Sequence, residues 1–169
     1  MSVTDPMRRI NMSREHTFNE LMDTLYGTSR LINAYESIPR TYGTDDKLYM
    51  VEVHTLDLIG RKQKTTISEI AARTDRTVSA VSQIVNKLVA KVLIHKYRNE
   101  NNHREFLLEL TATGEIVYNY HKNLDNIEYR KHLENLHMFN EDDFKNFIEI
   151  AQKINKRTKL VIEGKEALG

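Results

Sequence analysis

Apolar residues recur at intervals of three, four and seven along most of the chain, the spacing of one helical face. The first row is Phe18, Leu21, Met22, Leu25, Ile32 and Tyr35. It predicts a helix that stops before Pro39, because a residue preceding proline is pushed away from helical angles. Gly43, Thr44, Asp45 and Asp46 read as a loop leading into a cap. A second helix follows, with Leu48, Val51, Thr55, Leu58 and Ile59 on one side, and ends at Gly60. Arg61, Lys62, Gln63 and Lys64 form a basic connector. Thr66 and Glu69 have the spacing of a capping box. They open a short helix that turns Ile67, Ile70 and Ala71 inward and ends near Thr74. Asp75 and Arg76 then make a tight turn, and Thr77 caps a helix running to about Lys91.

At 100° per residue, Val78, Val81, Ile84, Val85, Leu88 and Val92 fall on one arc of that helix. Arg76, Ser79, Gln83, Asn86 and Lys87 fall on the opposite arc, with Ala80 and Ser82 at its edges. The front is thus made of small or neutral hydrogen-bonding groups where an ordinary surface helix carries long charged ones. Small Ser and Ala let a backbone come close to something, and Gln and Asn offer a donor and an acceptor together. That combination suits the floor of a major groove.

The period then changes to two. Residues 95–98 read as a strand, 99–102 as a polar turn and 104–110 as a second strand with Phe106, Leu108 and Leu110 on one face, a hairpin with a partly basic tip. A long helix opens at Thr111 and keeps Ile116, Val117, Tyr120, Leu124, Ile127 and Leu133 at helical spacing. Asn140 caps a last helix, with Glu141, Asp142 and Asp143 in its first turn and Lys153, Lys156, Arg157 and Lys159 toward its end, both suited to the helix dipole. Phe144, Phe147, Ile148, Ala151, Ile154, Leu160 and Val161 line its face.

Composition narrows the function. The 169 residues include no cysteine, which removes disulfides, thiolate metal sites and cysteine nucleophiles and fits a reducing cytoplasm. Six Gly and two Pro point to long uninterrupted elements. No apolar run approaches the ~20 residues that span a bilayer, so no membrane partner is expected. Residues 1–11 carry basic groups without an apolar stretch, so a secretory signal is not expected either. The net charge of +1 hides a sharp division. Residues 61–104 hold ten basic and three acidic side chains, a net +7 inside flanks that together carry −6. A basic middle of this kind is the footprint of a segment that meets a polyanion.

The order helix, helix, short helix, turn, helix, hairpin, long helix, long helix contains a helix-turn-helix followed by a wing. Here the chain resembles the MarR family of bacterial regulators. The resemblance rests on Ile67-Ser68-Glu69-Ile70-Ala71, on 81–88, on Leu93-Ile94 and on a wing closing at Leu110-Thr111-Ala112-Thr113-Gly114. Where the family's wing carries Asp, one residue, then Arg, this chain has Asn102, His103 and Arg104. Where the family often ends the reading helix with Gly, it has Val92. Residues 52–60 are also similar to the corresponding helix of MarR-type regulators of fatty-acid synthesis in Gram-positive bacteria.

The resemblance implies a mainly α fold with a small β-wing. Residues 1–43 would be an N-terminal arm and dimerisation helix, 44–111 the winged helix-turn-helix, and 112–169 the C-terminal dimerisation helices. It implies a homodimeric repressor of a palindromic double-stranded DNA operator, released or tightened by a small-molecule or acyl effector. Ser79, Ser82 and Gln83 would face base edges, with Ala80 allowing close approach. Arg76, Thr77, Asn86 and Lys87 would hold phosphates. Arg104, helped by Asn101, Asn102 and His103, would enter the flanking minor groove. Arg61, Lys62 and Lys64 would add affinity without reading sequence. Tyr26, Arg30, Tyr49 and His54 would line an effector pocket.

Other chemistry finds no pattern to stand on. The seven histidines show no His-x-x-x-His spacing with a third ligand close by, so neither metal nor other cofactor is expected. There is no phosphate-cradling glycine loop and no nucleophile elbow, so no catalytic residue is assigned. The alternative is a winged-helix protein-interaction module that does not bind DNA. Such a module would show aromatic or aliphatic anchors on the front of 78–87, where this chain has Ser, Gln and Asn.

Overall fold

A computed structural model describes residues 6–167, with side chains from residue 13 onward. The expectation for residues 1–11 therefore falls partly outside the described residues. The elements are α1 (Pro6–Glu36), α2 (Met50–Lys62), β1 (Thr65–Thr66), α3 (Ile67–Thr74), α4 (Val78–Ala90), β2 (Ile94–Asn99), β3 (Asn102–Leu110), α5 (Ala112–Asn135) and α6 (Glu141–Ile162). The fold is mainly helical with a three-stranded antiparallel sheet of order β1-β3-β2, a winged helix-turn-helix carried between long helices.

The chain divides into two compact units between Asn123 and Leu124. In the first, one core joins α2, α4, the base of the wing and the start of α5. Leu48, Val53, Leu56, Ile59, Val81, Val85, Leu88, Leu93, Leu108 and Val117 have no exposed surface. In the second, Asn140 Oδ1 accepts from the backbone N–H groups of Asp142 and Asp143, and Asp143 reaches back to the Asn140 N–H. This is the cap expected for α6.

Helix α1 ends at Glu36, ahead of Pro39, and α3 is capped as expected: Thr66 accepts from Glu69 N–H, and Glu69 accepts from Thr66 N–H. Three local expectations are corrected. Helix α2 runs through Gly60 to Lys62. Gly60 is a packing glycine, since a Cβ there would lie 2.9 Å from Cδ2 of the Tyr118 ring. The buried face of α2 also centres on Val53, Leu56 and Ile59, while Val51 and Leu58 are half-buried. Leu48 does reach the core, but from a backbone bridge with Arg40 that precedes the helix, so counting helical turns from it shifts the face. Finally, Val78 and Val92 are 55% and 66% exposed. Val78 opens α4 ahead of its buried face, and Val92 lies past its end, in a left-handed turn next to buried Leu93.

The end of α4 holds a strained point of the backbone. Leu93 N–H bonds to the Leu88 carbonyl and Val92 N–H to the Val89 carbonyl, the paired bonds of a helix stop that needs a left-handed residue between them. That residue is Val92, at φ 57°. A β-branched side chain is ill suited to it. Nearby, Gly114 is indispensable for the opposite reason: a Cβ on it would collide with the Leu93 carbonyl oxygen. The same carbonyl accepts from Thr111 N–H at 3.1 Å.

Val92→Gly is expected to stabilise the protein by about 1 kcal/mol, the relief of left-handed strain less the added freedom of the unfolded chain. Gly114→Ala is expected to cost at least about 2 kcal/mol, because the obstructing atom is backbone. Urea denaturation of both variants checks the pair; a destabilised Val92→Gly would contradict the turn described.

Candidate nucleic-acid interface

The helix-turn-helix is set by short-range bonds. Asp75 caps α3 in the left-handed region at φ 50°, a conformation Asp tolerates. Its N–H and that of Arg76 both bond to the Ala71 carbonyl. The chain thereby reverses in two residues and arrives at Thr77, whose hydroxyl accepts from Ala80 N–H at 3.1 Å and starts α4. No acid occupies the first turn of α4, so its positive dipole end is left for an outside anion.

On α4 the back is closed and the front open. Val81, Val85 and Leu88 are buried. Arg76, Thr77, Ser79, Gln83, Asn86 and Lys87 are exposed, and Ala80 and Ser82 are half-buried at the edges. This is the division expected from the sequence.

The wing extends further than its polar tip suggested. Asn99 pairs directly with Asn102, so Glu100 and Asn101 alone make the turn. Asn99 Oδ1 accepts from Asn101 N–H and Asn102 Oδ1 from Arg104 N–H, at 3.1 and 3.2 Å. Asn102 thus shapes the backbone under Arg104. Asn101, Asn102, His103 and Arg104 are all exposed on the tip.

The strands present two faces. Cross-strand partners share a face in an antiparallel sheet. One face holds Ile94 with Leu110, Lys96 with Leu108, and Arg98 with Phe106. On it Lys96 Nζ donates to Asn86 Oδ1 of α4 at 3.3 Å and lies 5.1 Å from the Phe106 ring centre. Arg98 lies 5.7 Å from the same ring. Sequence reasoning missed Lys96 and Arg98, although strand alternation with Ile94 marks their face. On the opposite face Lys64 pairs with Glu109 at 3.2 Å. Glu109 is held below the usual carboxylate range first by the Tyr97 hydroxyl and then by Lys64.

The basic connector is not free. Arg61 pairs with Asp57 at 2.8 Å, Lys62 with Glu69 at 3.3 Å and Lys64 with Glu109. Each of the three thus has a carboxylate beside it, Arg61 within α2, Lys62 on α3 and Lys64 on β3, which offsets part of the positive charge expected of the connector. Lys91 is likewise inward, bonded to buried Glu52 at 3.1 Å and to the Lys47 carbonyl.

The residues expected to form an effector pocket are dispersed. Tyr26 and Tyr49 are 58% and 45% exposed, and Arg30 is exposed on α1. His54 is exposed on α2, with its ring 5.4 Å from that of buried His121. Of the four, only His54 lines the cleft of about 200 Å³ formed with Glu36, Thr55, Thr74, Arg76 and Ile84. That cleft lies directly behind the turn into α4.

A family model resolves the architecture: the MarR family model matches residues 48–106. The match spans α2, the helix-turn-helix and most of the wing. Among solved structures, the chain is similar to Streptococcus pneumoniae FabT in complex with DNA, at 20% identity and TM-score 0.64 over 87% of this chain and 99% of that one. It is similar to the zinc-responsive MarR family member ZitR of Lactococcus lactis, at 19% identity and TM-score 0.65 over 84% and 99%. Similarity also extends to a ZitR variant in complex with DNA, at 20% identity and TM-score 0.64 over 83% and 96%. At such identities the likeness is one of fold. No curated protein sequence matches the chain. Among the described residues no helix is long and apolar enough to cross a membrane.

The cap of α3 gives the helix-turn-helix an acid sensitivity. The Glu69 carboxyl is held below its ordinary value of 4.5, first by the Thr65 hydroxyl and then by the Thr66 N–H. A carboxylate more acidic folded than unfolded stabilises fully above its unfolded value and loses that contribution as pH falls through the folded one. Glu69→Gln keeps an acceptor but cannot titrate. Its stability is expected to fall less steeply than the parent's between about pH 5 and pH 3, as followed by urea midpoints; identical slopes would refute the assignment.

Proposed function

We propose that the protein is a sequence-specific, double-stranded DNA-binding transcriptional regulator, a homodimeric repressor of a palindromic operator that acts in the cytoplasm under the control of an effector. The single observation that carries the reading is the front of α4. It is exposed, starts at a free dipole end, offers Ser79, Ser82 and Gln83, and has no carboxylate and no aromatic anchor along it. A protein-binding face would carry aromatic anchors; small and neutral hydrogen-bonding groups suit a major groove. Two of the similar structures, FabT and the ZitR variant, are complexes with DNA.

In this reading Ser79, Ser82 and Gln83 read bases, and Ala80 lets α4 settle into the groove. Arg76, Thr77 and Lys87 hold phosphates, with Asn86 acting together with its Lys96 partner. Arg104 enters the minor groove from a tip shaped by Asn101 and Asn102, beside His103. Homodimerisation follows from the apolar surface of the long helices: Leu31 on α1, Ile127 and Leu133 on α5, and Phe147 and Ile148 on α6 are all at least half exposed in the single chain. Segments 1–43 and 112–169 would supply that interface and 44–111 the DNA contacts. The effector is a small molecule or acyl group. The cleft behind Arg76 favours a site reaching His54, since an occupant there would touch the turn that aims α4. No catalytic role is assigned to any residue.

Selection of bound duplexes from a random pool tests the reading, followed by salt titration on an enriched site. A palindrome with half-sites about one helical turn apart is expected, with a steep log–log salt dependence. A slope near zero would end the proposal. On that site Arg104→Ala should weaken binding to all duplexes and flatten the salt dependence. Gln83→Ala should cost about 1–3 kcal/mol and relax choice at one position. A Gln83→Ala protein that discriminates every position as the parent does would remove Gln83 from the base-reading set.

A further inference from the structure

A duplex separates its major groove from the neighbouring minor groove by one sugar-phosphate strand. A protein that sets α4 in the first and the β2–β3 tip in the second must let that strand cross the junction between them. The chemistry of this junction is cationic and distinct from both reading elements. Lys96 and Arg98 emerge from the sheet face whose base, Ile94 and Leu108, is buried in the core. That face turns toward α4, as the Lys96–Asn86 bond shows. Both cations share one aromatic ring, Phe106, which is 38% exposed. Arg98 Nη1 also donates to the His103 carbonyl at 3.3 Å.

Two like charges over a single ring repel each other. The ring face recovers part of that cost, and neither cation has a carboxylate partner among the described residues. By contrast, Lys64 on the opposite sheet face has Glu109. The acids of the wing are thus placed to neutralise one face and leave the other positive. An anion at the junction would satisfy Lys96 as a compact point charge and Arg98 as a planar fork.

We infer that Lys96 and Arg98, seated on Phe106 and joined to α4 through Asn86, form a clamp for the DNA phosphates that pass between α4 and the wing. The inference rests on the DNA-binding reading above and adds a phosphate site to it. The clamp reads no bases. It fixes the separation of the two reading elements while holding the strand that runs between them.

Salt titration of the full-length protein tests this on two probes: a duplex selected from the random pool and a random-sequence duplex of equal length. Lys96→Ala and Arg98→Ala are each expected to lower affinity for both probes by the same factor, roughly fivefold to tenfold near 0.1 M salt, and to reduce the log–log slope by about 1. Lys96→Arg should restore the slope. Lys96→Gln keeps a hydrogen-bonding group toward Asn86 without the charge and should behave as Lys96→Ala does, which separates charge from fold. Lys64→Ala, on the opposite face, should leave the slope unchanged. A parent with a steep slope whose Lys96→Gln and Arg98→Ala variants match it overturns the clamp alone. So does a Lys64→Ala variant that loses as much as they do. A parent with no salt dependence overturns the DNA-binding reading itself.

Discussion

The wing is aimed by a single backbone junction. At the end of α4, the Leu93 carbonyl lies against Gly114 and accepts from Thr111 N–H, while the Thr111 hydroxyl donates to the Val92 carbonyl at 2.7 Å and accepts from Gly114 N–H. The chain leaves this point as β2 and returns to it from β3. Both ends of the hairpin are therefore tied to the same turn of α4, and so is the first turn of α5. Moving α4 moves the wing with it. The Lys91–Glu52 bond tightens the arrangement from the other side, holding the end of α4 to the start of α2 with a carboxylate that is itself bonded to Tyr49 N–H. A buried carboxylate of this kind needs its partners, since its desolvation is otherwise uncompensated. The reading surface is consequently rigid where it is anchored and loaded with functional groups only where it is open.

What could be read from sequence follows from the range of the interaction responsible. Thr66 with Glu69, Thr77 with Ala80, and Asn140 with Asp143 act over three residues, and the residue types alone determine them. The periodic faces of α4 were legible for the same reason, apart from Val78 at its first position and Val92 past its end, where the left-handed turn breaks the helical period. Strand β1 was not legible. It is two threonines whose extended form exists because they pair with Leu107 and Leu108, some forty residues on. The buried face of α2 was misplaced because Leu48 is carried into the core by an irregular segment. Val92 in a left-handed turn contradicts its own propensity, and tertiary bonds at Leu93 override it.

The candidate site illustrates the same limit in electrostatic form. A count of charges over 61–104 could not separate the cations that face outward from those that brace the fold. Arg61, Lys62, Lys64 and Lys91 all have carboxylate partners. Lys96 and Arg98 have none among the described residues, although a count of charges does not distinguish them from Lys64. The distinction is made by strand alternation together with the position of Glu109 across the sheet. Lys96 and Arg98 therefore leave uncompensated positive charge on the sheet face that turns toward α4.

The long helices complete the physical argument because their apolar surface exceeds what the described chain covers. The winged helix-turn-helix builds its core from its own residues and the first turns of α5, so the unburied rows of α1, α5 and α6 are not needed for it. In water such rows are costly to leave open and typically mark an interface. In the proposed homodimer a second copy would cover them with the same residues on both sides and create a two-fold axis. Two copies of α4 related by that axis would read only a site with matching symmetry. The palindrome of the proposed operator would then be a consequence of the hydrophobic surplus on the long helices.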